Sequence, residues 1–93
     1  MSDYWLFCEV SEGVFPNECA VVAETAEGKI FSLFVDKNFV KNPDAFGENY
    51  IRVQAVKLEN DLFHVSLPAD PFETVQNIRV KHSQISQIEG KAA

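Results

Sequence analysis

His64, His82, Cys8 and Cys19 are the side chains of this chain best suited to metal ligation or nucleophilic chemistry, and their spacing serves neither. A structural zinc site takes paired ligands, for instance two cysteines about two to four residues apart, whereas each of these four comes alone from a different segment. A Cys–His nucleophile needs a thiol of lowered pKa at a helix N-terminus or beside cations. Cys8 and Cys19 instead sit in apolar runs, where thiols behave as small buried hydrophobes. The 14 acidic residues carry no sequence context that marks a general acid–base pair. A phosphate-binding loop, a dinucleotide fingerprint and a His-Glu-x-x-His helix are all missing. The chain therefore reads as no enzyme, with no metal and no cofactor.

Aromatic and acidic residues offer the better functional signal. The chain holds 8 Phe, 2 Tyr and 1 Trp, more than one side of a small sheet needs. Phe15 and Phe46 fall in turn-rich segments, and Trp5 on a strand beside further aromatics. With Glu12, Glu18 and Glu48 around them, Trp5, Phe15 and Phe46 form the expected partner-binding set: aromatics to anchor apolar side chains, acids to favour segments bearing Lys or Arg. Residues 1–28 carry Asp3, Glu9, Glu12, Glu18, Glu24 and Glu27 with no Lys or Arg, and the net charge is −6. Such a balance opposes phosphate and anionic membrane.

Two other readings belong to different classes. Unpaired strand edges or the aromatic patch would make a homodimeric structural subunit. Arg52, Arg79 and Lys81, with Tyr50, Phe63 or Trp5 as stacking platforms, would make a small barrel for single-stranded nucleic acid. Acidity places that reading behind a protein partner or self-association. Charged positions of alternating strands are more often solvated, or paired across strands with Glu and Asp.

The elements that must position these residues are strands. Residues 4–10 alternate, with Tyr4, Leu6, Cys8 and Val10 opposite Trp5, Phe7 and Glu9. Residues 11–18 hold Gly13 and Pro16 around Val14 and Phe15 and form an excursion, the first candidate binding loop. Residues 19–25 and 30–35 make a hairpin turned at Gly28. The Asp36-Lys37-Asn38 step ends or bends that strand. Residues 41–49, dense in turn formers, make the longest loop. Residues 50–58 and 62–67 form a second hairpin across Glu59-Asn60-Asp61. Asp70-Pro71-Phe72-Glu73 has the order of a helix start and predicts a single helical turn before a last strand at Ile78 and Val80.

Five to six short strands, two tight hairpins, an early loop and one short helical turn before the last strand resemble the layout of a small SH3-like barrel, all-β. An OB-type barrel would place a more substantial helix where the breakers of residues 43–48 stand. The 93 residues suit a single domain, expected over residues 1–88, with a C-terminal tail at 89–93 that frays. The opening residues lack the basic and apolar regions of a secretory leader. No run approaches the roughly 20 apolar residues of a membrane span. A cytoplasmic address follows as the expectation, and with it free thiols rather than a Cys8–Cys19 bridge.

Overall fold

The computed structural model describes residues 2–88; the tail expected from Glu89 lies outside the described residues. Seven strands form one antiparallel sheet: β1 (Ser2–Glu12), β2 (Glu18–Glu24), β3 (Ile30–Asp36), β4 (Gly47–Glu59), β5 (Leu62–Ser66), β6 (Asn77–Lys81) and β7 (Ile85–Gln87). The order across the sheet is β3-β2-β1-β4-β5-β6, and β7 pairs with β1. Period-two alternation is the cause: Leu6, Cys8 and Val10 are buried from β1, and Ile51 and Val53 from β4, while the residues between them face outward.

The sheet curls into a half-barrel because β1 serves two partners on one edge. β4 runs along β1 from Ser2 to Val10. The opposite edge takes β7 at residues 4–6 and β2 at residues 9–12. A register shift between Ala55 and Lys57 inserts Val56 as a bulge, and a bulge bends its strand. β4 thereby turns from β1 toward β5. Extents of 38 × 36 × 19 Å match a sheet folded over on itself, since facing sheet layers pack about 10 Å apart. Inside lie Leu6, Phe31, Leu33, Ile51, Val65 and Val80, each at most 1% exposed.

Loops close the seam. The N–H of Ala26, in the β2–β3 turn, donates to the Arg79 carbonyl of β6 at 2.8 Å. The Gln84 side-chain amide donates to the Glu24 and Thr25 carbonyls at 3.0 and 3.3 Å. Among the described residues no helix is long and apolar enough to cross a membrane.

Three expectations from the sequence are corrected here. The strands number seven, not five to six, because the chain after β6 returns to β1 as β7. The helical turn before the last strand is a 3₁₀ turn at His82–Gln84, and Asp70-Pro71-Phe72-Glu73 is not helical. A capping glutamate must reach back to its own N-cap, but the Glu73 carboxylate instead accepts the Ser32 N–H at 2.7 Å, and the Phe72 N–H donates to the Ser32 carbonyl at 2.9 Å. Tertiary contact with the β3 edge outweighs the local signal. The longest connection without regular structure is accordingly residues 67–76, since the 3₁₀ turn Lys37–Phe39 and the start of β4 at Gly47 shorten the preceding loop.

Candidate interaction surfaces

The loop after β1 is held by its own residues. The N–H groups of Val14 and Phe15 donate to Glu18 Oε1 at 3.1 and 3.3 Å, and the Glu18 N–H donates to the Phe15 carbonyl at 3.0 Å. Gly13 is required by close approach: a Cβ there would stand 2.5 Å from the Glu18 carbonyl oxygen. The Asn17 carbonyl accepts the Lys37 N–H at 2.9 Å, tying the loop to the 3₁₀ turn Lys37–Phe39, which Asp36 caps through the Asn38 N–H. With its polar groups bonded inward, the loop turns Val14 and Phe15 outward at 70% and 66% exposure.

A second loop, residues 41–46, is pinned by Asn49, which is 1% exposed. Its Oδ1 accepts the N–H groups of Asn42 and Tyr50 at 3.2 and 2.8 Å, and its Nδ2 donates to the carbonyls of Asn42 and Ala45 at 2.9 and 2.8 Å. All four polar valences of a buried amide are thus used. Gly47 follows at φ +95°, a conformation suited to glycine. Phe46, between Ala45 and Gly47, is 59% exposed.

The two loops converge. Phe15 and Phe46 line one hollow of about 310 Å³, together with Glu12, Val14, Pro16 and Lys37. Glu18 lines it too, although its carboxylate is committed to the loop. No ion pair among the described residues involves Glu12. The structure therefore brings together Phe15, Phe46, Glu12 and Glu18 from the six residues expected in the partner-binding set. Glu48 stands just past this end on the outer face, directly opposite Glu9.

Trp5 lies elsewhere. Roughly 23 Å of extended strand, at about 3.3 Å per residue, separates it from Glu12. It faces outward opposite Arg52, beside the Phe7–Tyr50 edge-to-face pair at 5.7 Å. Lys41 Nζ sits 5.9 Å from the Trp5 ring and 5.2 Å from the Tyr50 ring, within cation–π range. Sequence reasoning missed Lys37, Lys41 and Asn49. Only Asn49 carried a signal, an amide among turn formers immediately before an apolar strand.

The remaining candidates are dispersed. Arg52 lies over Phe39 at 5.7 Å, whereas Arg79 binds Glu27 at 2.8 Å and lines a different hollow. Lys81 is exposed on β6. Both terminal strands of the sheet are engaged along their main chain, β3 at Ser32 and β6 at Arg79 and Lys81. Cys8 and Cys19 are free and buried in the core, while His64 Nε2 faces Glu59 at 3.3 Å and His82 packs on Phe63. Burial, reinforced by Cys19 and Glu9, pushes the Cys8 thiol up to about 12; burial also raises the Cys19 thiol. Thiols so shifted stay protonated and are poor nucleophiles. In comparisons with known proteins the chain matches no family model, no curated protein and no solved structure.

Proposed function

We propose that this chain is a noncatalytic interaction module, a small SH3-like barrel that seats an apolar side chain of a partner protein between Phe15 and Phe46. The 3₁₀ turn joining β6 to β7, and the return of β7 to the first strand, support the SH3-like reading. One observation carries the functional one: two exposed phenylalanines from loops far apart in sequence line the same hollow. Each loop is held by a polar side chain, Glu18 or Asn49, so the rings are presented with little ordering left to lose on binding. Glu12 adds an acidic rim that favours a segment bearing Lys or Arg.

The test is selection of a displayed library of random peptides on the wild type and on a Phe15→Ala/Phe46→Ala variant. Peptides joining a large apolar residue to Lys or Arg, retained by the wild type and lost by a variant with unchanged thermal unfolding, are expected. Equal retention by both proteins, or selection of acidic peptides, overturns the proposal.

A further inference from the structure

A second surface, independent of the Phe15–Phe46 hollow, lies on the outer face of β1, β2 and β3. Phe7, Val22 and Ile30 come one from each of these strands and are 42%, 44% and 62% exposed. They share a hollow of about 420 Å³ with Glu9, Glu24 and Gln84. Its position follows from the topology: β7 leaves β1 after Leu6 and β2 joins only at Glu9, so the edge of β1 is open between them. Gln84 bridges the gap at one end by donating to the Glu24 and Thr25 carbonyls. The floor of that gap is apolar.

The charges that line it have one sign. Glu9 and Glu24 line the hollow, and no Lys or Arg does. Glu48 stands directly across from Glu9 on β4, a like-charge cross-strand pair that is unfavourable as it stands. None of the ion pairs among the described residues involves Glu9, Glu24 or Glu48. A second copy docked by the same face would set this acidic rim against itself, and two chains of net charge −6 repel. A cationic occupant removes both penalties.

We infer that this face docks a segment of a partner protein that places an apolar side chain on Phe7, Val22 and Ile30 and a neighbouring Lys or Arg against Glu9, Glu24 and Glu48. Apolar burial supplies the anchor and the rim supplies charge selection.

The experiment titrates the isotopically labelled full chain with the synthetic peptide acetyl-Lys-Leu-Lys-Leu-Lys-amide, and with its counterpart carrying Glu for Lys. Amide resonances are followed at low and at physiological salt. Expected on this face are shifts at Phe7, Val22, Glu24 and Ile30 with the Lys peptide only, weakening as salt rises, whatever shifts occur at Phe15 and Phe46. Affinity read from the resonances of this face falls at least tenfold in Ile30→Ser and in Glu9→Lys/Glu24→Lys. The exposed position of Ile30 keeps that variant folded, which the same spectra verify. Shifts confined to Phe15 and Phe46, an absence of shifts, or equal binding of the Glu peptide overturns the inference. So does a dimer in sedimentation that Ile30→Ser dissolves, since the occupant is then a second copy. Because the resonances of this face and those of Phe15 and Phe46 are followed individually, its failure and that of the loop hollow are read separately.

Discussion

The side-chain amide of Asn49 donates to the carbonyl of Ala45 at 2.8 Å, one residue before the exposed ring of Phe46. With three further bonds to Asn42 and Tyr50, this amide acts as the internal scaffold of the second loop. Asn49→Asp keeps the size but removes both Nδ2 donors, setting a carboxylate against two carbonyls. Leaving buried groups unpaired costs about 1–3 kcal/mol. A urea unfolding curve of the variant should show a loss of at least this size, and peptide binding at Phe46 should fall with it.

Glu73 and Ser32 make the corresponding link on the far side. The carboxylate accepts the Ser32 N–H at 2.7 Å and its hydroxyl at 2.9 Å, which holds the Glu73 pKa below its ordinary value. The folded pKa is depressed, so this contribution is present above the ordinary glutamate value of about 4.3 and is lost as pH falls through the lowered folded value. Amide exchange at Ser32 and Phe72 should therefore accelerate below about pH 4.3 relative to the core. Glu73→Gln should remove that pH dependence. Unchanged acid sensitivity in the variant would assign it to another carboxylate.

The thiols make an alkaline counterpart. Cys8 titrates at about 12 in the folded chain, against about 8.5 for an ordinary thiol. A raised folded value means stability is complete below the ordinary pKa and declines as pH climbs through the folded one. Unfolding midpoints should fall progressively above about pH 8.5, and less so in Cys8→Ala when each protein is referred to its own neutral-pH value. A disulfide reagent at neutral pH should modify Cys8 and Cys19 only as fast as the chain opens.

Strand identity was legible because burial here follows strict alternation: Leu6, Cys8 and Val10, or Ile51 and Val53, announce an inner face. The hairpins were legible through turn chemistry, with Gly28 at φ +85° and Asn60 and Asp61 both at positive φ. What escaped was long-range. A short strand such as β7, with one inward residue per turn of the pleat, has no pattern to read. Glu73 looked like a helix cap because its partner Ser32 lies 41 residues away. The pairing of Phe15 with Phe46 depends on β1 and β4 lying side by side, whereas Trp5 shares only its residue type with them and lies along the strand instead.

On this reading Phe15 is a preorganised binding residue rather than part of the core. Thermal unfolding and affinity for a selected peptide, measured side by side on the wild type and Phe15→Ala, test it most directly. An exposed ring changes stability by no more than about 0.5 kcal/mol when truncated, roughly 2–4 °C, whereas a core change such as Leu33→Ala costs about 2–5 kcal/mol. An affinity loss of tenfold or more is expected, with the midpoint within that narrow range. A midpoint falling as far as that of Leu33→Ala, or an affinity left intact, would contradict it.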